Sequence, residues 1–429
     1  MAVRSTPAVV GARHAPLSPA QFAIWLRDRM TGDPTLYREH ACYELLGPLD
    51  PKRFAAALRA AVAAHPAFGA AVLPGLHGVP ELHLDQHIIE VEHRHVTEGE
   101  LADVLDHESL TGPALDGGPL TRCLLLSVTP ERHVMLMVWH HLVADGMALR
   151  VLLETLQDCW DDPARLPEAG GPTVCDANLA YLAAAESAAA RERARAAADR
   201  LTGLALQPLP RTGAGAGASR REVIGEGDGA VDGLAQAAVA ARLTVPMLLA
   251  AACRRAAGEV LGLEDFLLGC VTAGRWLPDF EKVVGCFVNT VLVPANSGLE
   301  LPVREHVRSG ARELAAAVAR QDIPFTAVAG HLLRDARPRP RAFPQIYLSM
   351  DTPTPLRLTG LECRRIRIPH AQAKFDVTLI VEYDRGGVHG VLQYRDDVLT
   401  PATAQRFVRV FLARLRELPG ALVRPSPAR

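Results

Sequence analysis

The stretch VWHHLVADGMALRVLL, residues 138–153, sets His140 and His141 at the end of an apolar run and follows them with Asp145 and Gly146. An imidazole titrates near neutrality, so a ring held at a strand end can accept a proton from an attacking amine or alcohol, or orient that group by a hydrogen bond. Neighbouring residues of a strand point to opposite faces, so His140 and His141 cannot share one ligand or one proton. One is expected to face a core and the other a cleft. A purely structural reading stands beside the chemical one: both histidines are satisfied strand-end residues, Asp145 caps the next helix and Gly146 fills a tight turn. Asp145 fits poorly as the partner of a base. It points into the turn, where a buried carboxylate requires a cation such as Arg. The chain has no GxSxG elbow, and no Cys is set beside a His in a positive neighbourhood. Direct transfer between two bound substrates is therefore the simpler chemistry.

Holding such a ring requires a strand before it and a helix after it, and the local pattern predicts both. Strands are expected at 121–128 and 133–140, joined by TPER, with an amphipathic helix from Gly146 to Trp160. Upstream, SPAQFAIWLRDR predicts a helix capped by Ser18, with Pro19 in its first turn and Phe22, Trp25 and Leu26 buried. A second helix, 51–65, is capped by Asp50 and carries Phe54, Leu58, Ala61 and Val62 on one face, and a strand follows at 88–95. Residues 176–201 form an Ala- and Arg-rich helix with a solvated charged face.

The second half repeats the alternation. Helices are expected at 231–242, 246–261, 303–320, 326–334 and 401–418, and strands at 266–272, 287–293, 344–350, 375–383 and 388–394. Between the halves, QPLPRTGAGAGASRR (207–221) lacks periodicity and reads as a linker. Its GAGAGA follows no strand and precedes no suitably spaced acidic residue, which argues against a dinucleotide loop. The expected fold class is α/β, with two lobes, 1–205 and 206–429.

Composition excludes several classes of function. The net charge is only −2 and the basic residues are scattered, so no nucleic-acid partner is expected. No apolar run approaches the roughly 20 residues of a membrane span, and the N-terminus lacks an apolar signal core. The reading is a cytoplasmic chain with no membrane partner. The eight cysteines include no CxxC pair, which favours reduced, buried thiols over disulfides or a zinc site, and no metal is expected.

His140-His141-x-x-x-Asp145-Gly146 resembles the signature of the condensation-domain superfamily of nonribosomal peptide synthetases, related in fold to chloramphenicol acetyltransferase. Ser18-Pro-Ala20-Gln21 with Trp25-Leu26 looks like that family's first motif. Gly285-Cys-Phe287-Val288-Asn289-Thr290 is similar to its GxFVNT segment, and Gln321-Asp322-Ile-Pro324-Phe325 to its QDxPF segment. Arg334-Asp335 with the later Arg-Pro pairs and Phe343 is a looser match, and Lys374-Phe375-Asp376-Val-Thr378-Leu379 continues the likeness.

The resemblance implies two acyltransferase-like lobes in a V-shaped pseudo-dimer, with His141 as catalytic histidine, either base or positioning group, midway along a tunnel. It implies a structural Asp145 ion-paired with Arg275, a Gly146 that leaves room for substrate, and Asn289 either lining the tunnel or acting as a strand-end residue. His140 supports the motif. No permanently bound cofactor is implied; phosphopantetheine arms of a peptidyl or acyl carrier protein enter as substrate tethers. The acceptor is a small-molecule amine or alcohol, itself possible in carrier-bound form, and a monomer suffices. One departure is marked: where the family carries RHxxLR, this chain reads Ala64-His65-Pro66-Ala67-Phe68-Gly69 and lacks both arginines. The chain's extent leaves no space for an adenylation or carrier domain, so a freestanding enzyme that forms an amide is expected. An ester-forming O-acyltransferase using a soluble or carrier-bound thioester, and a noncatalytic module that docks on a carrier to recruit another enzyme, are the alternatives.

Overall fold

The computed structural model describes residues 11–423 except 34, 165–170, 203, 205–208, 213, 214, 216, 225–230, 232, 335–342, 369–372 and 385–386. In chain order its strands are β1 His14–Pro16, β2 Arg38–Leu46, β3 Ala71–Pro74, β4 Pro80–His83, β5 Val91–His95, β6 Thr121–Thr129, β7 Arg132–His140, β8 Ser219–Ile224, β9 Asp265–Thr272, β10 Asn289–Asn296, β11 Ile346–Asp351, β12 Glu362–Ile366, β13 Val377–Asp384 and β14 Gly387–Arg395. The helices are α1 Pro19–Thr31, α2 Pro51–Ala63, α3 Glu98–Leu110, α4 Gly146–Asp161, α5 Val174–Glu186, α6 Ala188–Asp199, α7 Leu234–Ala241, α8 Val245–Leu261, α9 Val303–Val318, α10 Phe325–Arg334 and α11 Pro401–Val423. The class is mixed α/β.

Two compact units result. Unit 1 comprises Met1–Arg191, Ala273–Val288 and Thr354–Ala371; unit 2 comprises Glu192–Thr272, Asn289–Pro353 and Gln372–Arg429. A single cut at 205/206 differs from this partition in two ways. The first division falls within α6, and two later segments return to unit 1; residues 205 and 206 themselves lie outside the described ones. A Pro- and Gly-rich stretch marks where chain is loosely patterned, whereas unit membership depends on which sheet a distant segment joins. Thus β12 is hydrogen-bonded antiparallel to β2, Arg365 opposite Tyr43, a pairing no local composition announces.

Unit 1 contains the sheet β12-β2-β7-β6-β5 and the small sheet β1-β4-β3. The five-stranded sheet is buried on both faces. Tyr43, Leu45, Leu125, Met135, Met137 and Trp139 join the main core, while Leu124, Leu126, Val134, Leu136 and Val138 pack with Leu101 and Leu105 of α3. That double burial is why CLLLSV and VMLMVW read as continuous apolar runs rather than alternations. Helix α2 buries Phe54, Leu58, Ala61 and Val62 on this core. Unit 2 is built on the sheet β10-β9-β11-β13-β14-β8, in which β11 runs parallel to β9 and β13. Phe407, Phe411 and Leu415 of α11 pack with Leu248 and Cys253 of α8 against Phe266, Leu348 and Leu379.

Several local expectations require correction. Residues 176–201 form two helices because Ser187 takes an extended backbone, φ −63° and ψ 146°, and its hydroxyl accepts the N–H of Ala190 as a cap for α6. The strand expected from Ile88 starts at Val91, with Ile88 88% exposed. The strand expected from Phe287 begins at Asn289, since Phe287 packs in the unit 1 core. Part of the expected linker, Ser219–Arg221, is the start of β8. Among the described residues no single helix is long and apolar enough to cross a membrane; α7 and α8 pass only jointly and are bent by 103°.

Candidate functional site

The histidine pair sits at the end of β7. The register of β2 against β7 pairs Arg38 with His140 and Glu39 with Trp139, and the ladder continues as the His141 N–H donates to the Tyr37 carbonyl at 2.7 Å. Alternation puts Glu39, Trp139 and His141 on one side of the sheet and Arg38 and His140 on the other. His140 is fully buried. Its Nδ1 accepts the Leu142 N–H at 3.2 Å, so in the neutral ring Nε2 carries the proton, directed toward Asp28 Oδ1 at 3.6 Å.

His141 differs: its side chain is 16% exposed. Its Nδ1 lies 3.1 Å from the carbonyl oxygen of Ala144. A carbonyl can only accept, so Nδ1 is the protonated nitrogen of the neutral ring and Nε2 holds the basic lone pair. The Ala144 carbonyl also accepts the Trp139 indole N–H at 3.0 Å, which fixes the turn and the ring together. Glu39 Oε1 stands 3.8 Å from Nε2, close enough to favour an imidazolium formed there. Cys286 Sγ approaches Nδ1 to 3.8 Å, with the acidic Glu39 on the other side of the ring. The contact joins residues far apart in the chain, which spacing cannot reveal.

Asp145 is the N-cap of α4 and is 1% exposed. Oδ1 accepts the Ala148 N–H at 2.8 Å and the Arg275 guanidinium at 2.8 Å, and Oδ2 accepts the Phe287 N–H at 2.9 Å. Three donors and the positive end of the helix thus converge on this one carboxyl group. Arg275 is 4% exposed and stacks 4.3 Å over the Phe287 ring. Tyr181 donates to the Gly274 carbonyl at 2.7 Å and packs on Trp276, Phe280 and Phe287; burial pushes its hydroxyl up to about 12. Gly146 is the exposed first residue of α4.

A second brace comes from the SPAQ segment. Ser18 and Gln21 form a capping box on α1, yet Phe22 and Leu26, expected inside, are 41% and 42% exposed while Gln21 is fully buried. The buried amide is bonded through both its nitrogen and its oxygen: it donates to the Leu142 carbonyl at 3.0 Å and accepts the Asn178 amide at 2.7 Å and the Ser18 N–H at 3.1 Å. It thereby clamps the turn between His141 and Asp145. Gln21→Ala should lower stability by about 1–3 kcal/mol, because the Leu142 carbonyl is left buried and unbonded. Chemical denaturation should show a reduced midpoint at unchanged slope; an unchanged midpoint would remove the clamp.

The structure thus brings together His140, His141, Asp145, Gly146 and Arg275. Asn289 belongs to unit 2. Its amide donates to the carbonyls of Gln321 and Ile323 at 2.9 and 2.6 Å, and its oxygen accepts the Phe325 N–H at 3.0 Å. It anchors the QDIPF segment, where Asp322 pairs with Arg193 at 2.6 Å. Near the missing arginines, His65 bonds the Thr155 hydroxyl at 2.9 Å, and burial pushes it down to about 4. Asp335 and residues 337–342 of the loosely matched segment lie outside the described residues. Sequence reasoning missed Glu39, Trp139, Asn178 and Cys286. Period-two alternation from His141 points to Trp139; the others carry no local signal.

The family model described as "Condensation domain" matches residues 11–420. Tyrocidine synthase 3 of Brevibacillus parabrevis is 26% identical over 421 residues, covering 94% of this chain and 6% of that protein. Gramicidin S synthase 2 of Brevibacillus brevis is 24% identical over 418 residues, 94% of this chain and 9% of that protein. The chain therefore spans under a tenth of these curated relatives. Among solved structures, the condensation domain from Monacolin K polyketide synthase MokA gives a TM-score of 0.80 at 15% identity, covering 96% of this chain and 99% of that one. The first condensation domain of the calcium-dependent antibiotic synthetase, in complex with substrate analogue 2a, gives 0.78 at 19% identity, with coverage of 96% and 99%. The complex of the X-domain and OxyB from teicoplanin biosynthesis gives 0.78 at 20% identity, with coverage of 98% and 96%.

Proposed function

Because the chain belongs to the condensation-domain family, we propose that it is an acyltransferase that moves an acyl or aminoacyl group from a carrier-protein phosphopantetheine thioester to an amine, forming an amide. The observation that supports this is the tautomer of His141, with Nδ1–H held by the Ala144 carbonyl and the lone pair on Nε2. The acceptor nitrogen attacks the thioester carbonyl carbon, a C–N bond forms and the C–S bond breaks. Nε2 takes the proton released by nitrogen and returns it to the departing sulfur, so the imidazole ends as it began. The Glu39 carboxylate favours the transient imidazolium. Asp145 takes no part in proton transfer, since both its oxygens are occupied by Ala148, Arg275 and Phe287. Holding both reactants at one ring contributes on the order of 7–11 kcal/mol to lowering the barrier.

The test is intact mass spectrometry of loaded carrier proteins incubated with the chain and with pools of amines or alcohols. Loss of the acyl mass from the carrier with a new amide product supports the reading. An ester product reassigns the acceptor to a hydroxyl, a chemistry the same lone pair can serve. Carrier binding without acyl loss assigns a noncatalytic docking module.

A further inference from the structure

The small sheet of unit 1 gathers three groups with metal-ligand chemistry. β1 and β4 pair antiparallel with His14 opposite His83 and Pro16 opposite Glu81. Cross-strand partners share a face, and Glu81 and His83 are two apart on one strand, so all three side chains project on the same side. The two imidazoles are stacked, 5.2 Å between centroids and 14° between planes. His14 Nδ1 and His83 Nε2 each lie 3.4 Å from Glu81 Oε2, and one ligand atom from each residue lies within 4.8 Å of the others.

These distances suit a cation better than hydrogen bonds alone. A tetrahedral zinc with bonds of about 2.0–2.2 Å holds neighbouring ligand atoms about 3.3–3.6 Å apart. Two independent features agree. Among the described residues His83 Nε2 is buried and has no hydrogen-bond partner, although buried ring nitrogens are normally satisfied. Gly75 also leaves the space that the Glu81 carboxyl occupies: a Cβ there would stand 2.3 Å from its carboxyl carbon. His14, 66% exposed, can turn to close the nitrogen-to-nitrogen gap.

We propose that His14, His83 and Glu81 bind one divalent transition metal, zinc above all, through two imidazoles and a carboxylate, with solvent in the remaining position. The donor set is that of borderline-soft cations, not of calcium or magnesium. The ion fastens β1 to β4. β1 in turn leads to Ser18, and its Pro16 carbonyl accepts the Asn178 amide that also bonds Gln21. Zinc thus stiffens the brace beneath the histidine turn.

The experiment is isothermal titration of the chelator-treated full chain with zinc chloride, with metal analysis after gel filtration and thermal melts with and without zinc. The expected result is one retained equivalent and a melting temperature that rises with free zinc. His14→Ala, at an exposed position, should fold normally and weaken binding about tenfold or more. The double variant His14→Ala/His83→Ala should retain no metal, while His331→Ala on α10 should bind as the parent does. Gly75→Ala, whose methyl would press on the Glu81 carboxylate, should weaken binding by displacing that ligand while leaving both imidazoles in place. An equal stoichiometry and affinity in parent and His14→Ala, or no zinc bound by the parent, would overturn the site.

Discussion

Arg275→Ala should destabilise unit 1 by about 3–5 kcal/mol, the usual consequence of leaving a buried charge without its partner. Asp145 is 1% exposed, and in the variant its carboxylate keeps only the N–H groups of Ala148 and Phe287. The guanidinium also covers the Phe287 ring, so its removal opens a void beside the core. For a unit of about 200 residues each kcal/mol corresponds to about 2–4 °C, so the melting temperature should fall on the order of 10 °C. Arg275→Lys should recover part of the loss, since an ammonium restores the charge but not the planar stacking. Asp145→Asn in the Arg275→Ala background should also recover part of it, because the orphaned charge is gone. Calorimetry of the four combinations gives the coupling energy directly. A variant lacking Arg275 that melts with the parent would show that the pair is not a structural element.

The second large effect concerns chemistry. His141→Ala should reduce acyl transfer by about 10²–10⁴-fold, the ordinary contribution of a placed proton acceptor, while circular dichroism and the melt stay close to those of the parent. The separation is possible because the ring is only partly buried, and the Ala144 carbonyl retains the Trp139 indole when the imidazole is lost. His140→Ala should behave oppositely, losing stability through the cavity at a fully buried position. Single-turnover rates on a loaded carrier read the difference. A full rate for His141→Ala would defeat the assignment of that ring.

The parts of the fold legible in the sequence were those where local physics and final structure agree. Ser18-Pro19 marked the start of α1, Asp50-Pro51 that of α2, and Asp145-Gly146 that of α4, because caps act within one turn. The strands β6 and β7 were legible as apolar runs. By contrast β2, REHACYELL, mixes charges at its ends with inward Ala41, Tyr43 and Leu45 and was not anticipated. Its Arg38 and Glu44 are satisfied by partners elsewhere, Arg38 by the Pro113 carbonyl at 3.2 Å and Glu44 by Arg132 at 2.6 Å. Hydrophobicity likewise misjudged α1, burying Phe22 and Leu26 on paper while the molecule buries Gln21. An amide bonded through both its nitrogen and its oxygen is at home in a core, and two of those bonds, to Leu142 and Asn178, come from tertiary contacts. Glu39 and Cys286 come from a strand and a loop that nothing near His141 foretells.

The return of Ala273–Val288 and Thr354–Ala371 to unit 1 bears on synthesis at the ribosome. Asp145 emerges long before Arg275 and Phe287 exist, so its carboxylate cage stays incomplete until those later segments have been made. Unit 1 is tied off late, by segments delivered after much of unit 2 has been made. No single scission can therefore release two self-sufficient halves: a fragment ending near Arg191 would lack the cation, an amide donor and the edge strand that complete it.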